Sequence, residues 1–146
     1  MTGYKQPVSV LVVIHTAALQ VLLLERAAHP DFWQSVTGSR ENDEQPIDTA
    51  RREVMEETGL DTHLFKLSDW HMTNEFEIFP QWRHRYAPGV TQNTEHVFSL
   101  ELPCKQTIIT EPNEHRAHQW LHYTEAAARC FSWSNRDAIL ALASRT

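Results

Sequence analysis

The sequence predicts an α/β domain, and three observations carry that prediction. Two runs rich in branched apolar residues, Pro7–His15 (PVSVLVVIH) and Gln20–Arg26 (QVLLLER), read as buried strands. A segment with helical spacing follows, opened by Pro46 and closed by Gly59. Beyond it, alternating apolar and polar stretches return as strands before the chain turns helical again. With 146 residues and 41% hydrophobic content, the chain is one domain's worth, 1–146, with enough apolar material for a core.

In order, Pro7–His15 and Gln20–Arg26 pair as a hairpin. Their link, His15–Leu19, lacks Gly or Asn, so the turn type stays open. In Asp31–Ser39 (DFWQSVTGS), Trp33 and Val36 are core candidates. The helix after Pro46 turns Ile47, Ala50 and Val54 inward. Leu64–Thr73 reads as a strand, and so does the alternating Asn74–Phe79 (NEFEIF). Pro80–Thr94 (PQWRHRYAPGVTQNT) is a loop with Pro88-Gly89 as its turn. Its Trp82 and Tyr86 either plug the loop's own base or join Arg83, His84 and Arg85 in a lid of flat rings and anion-binding groups. Glu95–Leu102 is a strand, Pro103–Pro112 a connection, and Gln119–Leu121 a short strand. Thr124–Arg129 and Ser134–Ala143 are helices, the second with Ser134 as N-cap and Asp137 in a capping-box-like place.

Composition excludes several classes. A net charge of −6 opposes a nucleic-acid surface and leaves attraction of a polyanion to local cations. No apolar run is long enough to span a bilayer, and Val8–Ile14 follows too short a start for a signal peptide. Cys104 and Cys130 form no metal or redox spacing, which fits a reducing cytoplasmic setting. The nine histidines form neither HxH nor HExxH, against a zinc site. No obligatory protein partner is evident.

Chemistry concentrates in Gly38–Leu60 (GSRENDEQPIDTARREVMEETGL). On the helix, Glu53, Glu56 and Glu57 stand at i, i+3 and i+4 and share one face. Like charges at this spacing cost roughly 0.2–0.5 kcal/mol per pair, and the C-terminal half of a helix disfavours anions. Arg52 can pair with Glu56. A hard divalent cation relieves more, because Mg²⁺ takes one or two carboxylates together with phosphate oxygens. A solvated acidic face is the plain alternative.

The order Gly38, Glu44, Arg52, Glu53, Val54, Glu56, Glu57, Gly59, Leu60 resembles the Nudix box, the signature of Mg²⁺-dependent hydrolases of nucleoside diphosphates linked to another group. Ser39 and Asp43 stand where many members have glycine; Asp tolerates left-handed backbone, so the departure is small. Outside the box, FWQSVTGS (32–39), FEIF (76–79), RHRYAPGVT (83–91) with Asn93-Thr94-Glu95, and SWSNR (132–136) together resemble bacterial dihydroneopterin triphosphate pyrophosphatases of folate synthesis. That likeness implies an α/β/α sandwich around a mixed β-sheet, and hydrolysis of a small-molecule triphosphate, 7,8-dihydroneopterin 3′-triphosphate, to the monophosphate and pyrophosphate. It assigns metal to Glu53, Glu57 and Glu114, with Glu56 supporting, and substrate to Lys5, Arg26, Thr37, the segment Ile78, Phe79, Pro80, Gln81, and Ser132. Glu111 competes with Glu114 for the late acidic position. Either Glu56 or Glu57 accepts the proton of the attacking water, and Arg26 faces the departing pyrophosphate or is a plain surface cation. Two other readings are a sanitising (deoxy)nucleoside triphosphate pyrophosphatase and a non-catalytic ligand-binding module; the intact glutamates oppose the second.

Overall fold

In a computed structural model that describes residues 3–145, the chain forms seven strands and three α-helices. Strands β1 (Val8–Thr16) and β2 (Gln20–Arg26) do form a hairpin, but they touch only at its closed end, where His15 pairs with Val21. Leu19 takes the left-handed position of the turn (φ 62°), a place where Gly or Asn is usual, so the sequence did not announce it. Away from the turn the two strands diverge. The chain from Trp33 to Ser39 fills the fork. Its first piece, β3 (Trp33–Gln34), pairs with β2, and its second, β4 (Val36–Ser39), pairs with β1. This fork opens the cleft described below.

Helix α1 (Pro46–Thr58) starts with Pro46 beyond the N-cap Gln45 and ends at left-handed Gly59 (φ 76°). Its inward stripe is Ala50, Val54 and Glu57; Ile47 is exposed, contrary to its helical spacing, because the buried stripe begins one turn later with Thr49 and Ala50. The left-handed residue in the loop before α1 is Asn42 (φ 52°), not Ser39 or Asp43.

Two predicted strands, 64–73 and 74–79, are one. Strand β5 (Lys66–Glu77) runs along β6 (Gln92–Leu102) with an irregularity between Asp69 and Thr73, where His71 is left-handed (φ 55°). The ladder is interrupted there, with residues 70–72 of β5 facing the single residue 97 of β6, and the break falls close to where the sequence reads as two pieces. Strand β6 lies parallel to β1 over nine residue pairs, Val8↔Thr94 to Thr16↔Leu102, and makes the sheet mixed. Strand β7 (His115–His122) pairs with β2 and is longer than its Gln119–Leu121 signal. The main strand order is β3-β2-β1-β6-β5.

Alternate residues of β1 feed two cores. Val10, Val12 and Ile14 pack with Phe98, Leu100 and the α1 residues Ala50 and Val54. Leu11 and Val13 pack with Val97 and with Ala126, Ala127, Ile139 and Leu142 of helices α2 (Tyr123–Arg129) and α3 (Trp133–Arg145). The helices thus flank both faces of the sheet. The cap of α3 is Ser132 rather than Ser134: its Oγ accepts from Asn135 N at 3.4 Å and Asn135 Nδ2 at 2.7 Å. Ser134 is buried inside the first turn. Among the described residues, no helix is long and apolar enough to cross a membrane.

Candidate active site

Arg52 is the hub of the acidic helix face. Its guanidinium donates to both oxygens of Glu44 (2.8 and 2.9 Å), to Glu53 (2.8 Å), to Glu56 (3.4 Å) and to the Ser39 carbonyl (3.0 Å). Glu44 also accepts from Glu41 N and Thr49 Oγ1. Arg52 holds the Glu44 carboxyl far below its ordinary range, at about 2. Two further box residues therefore aim one of the acids: Glu44 fixes Arg52, and Arg52 fixes Glu53. The loop backbone contributes too. A Cβ at Gly38 would overlap the Glu53 carboxyl, so only glycine lets that group lie against β4.

Glu57 is the buried member, 2% exposed, and its Oε1 has no hydrogen-bond partner. Thr37 N–H serves the carboxyl from β4. Burial pushes its pKa well up, and the adjoining Glu53 and Glu114 push the same way; burial raises Glu53 as well. Two carboxyls in mutual contact hold together only with a proton or a cation between them. An orphaned buried oxygen beside a second carboxylate fits a divalent cation, whose remaining positions phosphate oxygens fill. Among the described residues no three acidic, His or Cys side chains converge into a ready-made cage.

Glu114 lines the same cleft from the residue before β7, whereas Glu111 does not. The Glu111 backbone carbonyl accepts from Glu114 N and His115 N, and its carboxylate accepts from Asn113 N, so it shapes the turn that presents Glu114. A register shift between β2 and β7 places Arg26 opposite His115 and leaves Arg116 to pair with Glu25 on the other side (2.8 Å). Directly opposed residues share a face, so the bulge aims both Arg26 and His115 into the cleft. His115 is buried, with Nε2 3.7 Å from Glu57 Oε1; burial and Arg26 lower its pKa to about 4, so it is a neutral neighbour rather than an ion-pair partner.

The cleft has a volume of about 1550 Å³. Lys5, Arg26, Arg40 and Arg85 bring positive charge to it, besides the carboxylate-bound Arg52 and Arg83. Lys5 is lowered to about 8 by burial, then by Arg85 and Arg26; Arg26 is lowered by burial and Arg85. One wall is aromatic. Trp82 stacks on Phe79 (5.2 Å, 26°), meets Phe131 edge-on (6.1 Å) and lies under the Arg26 guanidinium (4.7 Å). Of the three loop cations, Arg83 and Arg85 line the cleft and His84 does not; Arg83 is already bound to Glu77 (2.7 Å) and the Ile78 carbonyl (3.1 Å). The loop's rings thus anchor its base and line the cleft at once: Trp82 Nε1 also donates to His29 Nε2 (3.1 Å).

Lys5, Arg26, Thr37, Ile78, Phe79, Pro80 and Ser132 all line this one cleft with Glu53, Glu56, Glu57 and Glu114. Gln81 does not; the 3-10 turn over Pro80–Arg85 carries it to the exposed side. Among the buried cleft residues that the sequence reading did not assign to the site are Ser9, Asn93 and Glu95. For Asn93 and Glu95 the available signal was polar side chains at alternate positions of a strand whose next inward residue is Val97.

A NUDIX domain family model matches residues 5–142. The chain is 52% identical over 139 residues to the dihydroneopterin triphosphate diphosphatase of Escherichia coli K12, covering 93% of this chain and 91% of that one. It is 43% identical over 142 residues to the protein of the same description in Haemophilus influenzae, covering 95% and 89%. The solved structure of the E. coli dihydroneopterin triphosphate pyrophosphohydrolase superposes with a TM-score of 0.91 at 49% identity, covering 98% of this chain and 99% of that one.

Proposed function

The chain belongs to the Nudix family, and we propose that it is a dihydroneopterin triphosphate diphosphatase acting in folate synthesis, as one domain and without a partner protein. The substrate is 7,8-dihydroneopterin 3′-triphosphate and the products are its monophosphate and pyrophosphate. The observation that carries this reading is the 52% identity across 93% of the chain. The cleft supports it with an acidic pair and cations for the phosphates and an aromatic wall for a flat bicycle.

Nudix proteins typically use a divalent metal, and the donor set here suits Mg²⁺, with Glu53, Glu57 and Glu114 as its holders. When bound, the ion neutralises phosphate charge and lowers the pKa of the attacking water. The rest falls to the chain's own side chains. Water attacks one phosphorus of the α–β anhydride, its oxygen joins that phosphorus, and the bridging P–O bond breaks. Glu56 suits the role of proton acceptor. It lines the cleft, half exposed, while Glu57 is closed to solvent. Lys5, Arg26 and Arg85 offset the charge gathering on the departing pyrophosphate. The aromatic wall holds the ring so that the triphosphate lies along the acidic face.

The test is kcat/KM for dihydroneopterin triphosphate against dATP, dCTP and GTP at one Mg²⁺ concentration, with phosphorus NMR of the products. Preference for the pterin and release of pyrophosphate are expected. A nucleotide preferred tenfold or more would instead support nucleotide-pool sanitation.

A further inference from the structure

The cleft holds a buried polar floor that none of the box chemistry uses. Asn93 and Glu95 stand at i and i+2 on β6 and point to the same side of the sheet. Both are 3% exposed, and both line the cleft. Asn93 donates through Nδ2 to Ser9 Oγ (2.6 Å), yet its Oδ1 has no partner. Glu95 has Ser134 as a hydrogen-bond partner, and Asn74 Nδ2 only at 3.5 Å. Among the described residues it makes no ion pair. A carboxylate buried without a cation and an amide oxygen buried without a donor are both costly, and both are acceptors.

The floor lies at a definite distance from the phosphate end. Ser39 of β4 pairs with Ser9 of β1, and Ser9 pairs with Glu95 of β6. Two strand spacings separate the Cα atoms of Ser39 and Glu95 by about 10 Å. Ser39 adjoins Gly38, against which the Glu53 carboxyl rests. A bicyclic ring with its triphosphate anchored at Glu53 and Glu57 would reach the floor with its far edge.

We propose that Glu95, assisted by Asn93, determines base specificity by accepting hydrogen bonds from the 2-amino-4-oxo edge of the pterin; this rests on the substrate reading above. That edge presents N3–H and one 2-amino N–H side by side. The pair matches the two oxygens of a carboxylate as a guanidinium does. Asn93 Oδ1 takes a further ring N–H. Ser134 Oγ holds the carboxyl in place from α3. Adenine has no adjacent pair of ring donors, so dATP gains nothing from Glu95. An unpaired acceptor in the floor then penalises any ring without those donors.

The experiment measures kcat/KM for dihydroneopterin triphosphate, for its analogue carrying a 2-oxo group in place of the 2-amino group, and for dATP, with wild type and Glu95→Gln. The expected result is a preference of wild type for the 2-amino over the 2-oxo compound by about 10- to 100-fold. Glu95→Gln should lose about 10- to 100-fold on dihydroneopterin triphosphate, change less than about threefold on dATP, and shrink the 2-amino preference. Equal losses on pterin and dATP would mean that Glu95 only braces α3 through Ser134, and would overturn the proposal. So would a wild type that accepts the 2-oxo analogue as readily as the natural ring, a result independent of whether the variant folds. A wild type that prefers a nucleotide to dihydroneopterin triphosphate would instead overturn the substrate reading beneath it.

Discussion

The Glu53 carboxyl lies so close over Gly38 that the two residues exclude any side chain at position 38. The helix supplies the acid and the preceding strand supplies the flat surface it rests on. Gly38 does not have a positive φ, so its requirement is space rather than backbone freedom. Gly38→Ala should therefore displace the end of a flexible side chain and leave the fold standing. We expect a rate loss of about 10²-fold and a higher Mg²⁺ requirement, with a melting temperature within a few degrees of wild type. Wild-type metal response in a folded Gly38→Ala protein would show that Glu53 does not need this position.

Glu57 carries the opposite balance of stability and activity. Its carboxyl is buried and half-satisfied, so the metal-free protein bears the cost of holding it. Glu57→Gln keeps the size and removes the ionisable group. Turnover should fall at least roughly 10²-fold, while the metal-free protein melts no lower than wild type. Turnover near wild type, or a variant that melts far below it, would count against Glu57 as a functional acid.

Much of this site could be read from the chain because it is local. Box residues Arg52, Glu53, Glu56 and Glu57 sit on one helix, and helical spacing alone gives them one face. The strands around it declared themselves by branched apolar runs. What stayed hidden depends on distant pairings. The split of β1 between β2 and β4 has no signature in either strand. The bulge opposite Arg116, which turns Arg26 and His115 inward, is a two-strand property. Glu95 reads as an ordinary polar residue of an alternating strand until β1, β6 and α3 close around it. Ser134 looked like a helix cap because Ser132, two residues earlier, was not distinguishable from it by composition.

The late acidic position separates two neighbours with different work. Glu111 shapes the turn through its carbonyl and carboxylate, and Glu114 faces the cleft. Glu114→Gln should raise the Mg²⁺ concentration needed for half-maximal activity by about tenfold, whereas Glu111→Gln should leave it within about twofold. The measurement is a Mg²⁺ titration of activity for both variants. A weakened response only in Glu111→Gln would reverse the assignment.

Lys5 should give the enzyme a pH dependence of its own. Burial, with Arg85 and Arg26 nearby, lowers its pKa from the ordinary 10.5 to about 8. The cleft therefore carries a cation at Lys5 below about pH 8 and loses it above. If Lys5 binds phosphate, kcat/KM should be level below that value and then decline, by up to about tenfold per pH unit, toward the activity of the neutral form. Stability moves the other way. Between about pH 8 and 10.5 the unfolded chain keeps the Lys5 proton that the folded chain has released, so this group's contribution to stability rises with pH across that window. Lys5→Arg should stay charged and carry the activity plateau to higher pH. A pH profile of kcat/KM for both proteins, run beside their melting temperatures, separates the two effects. An alkaline decline unchanged in Lys5→Arg would assign it to another group.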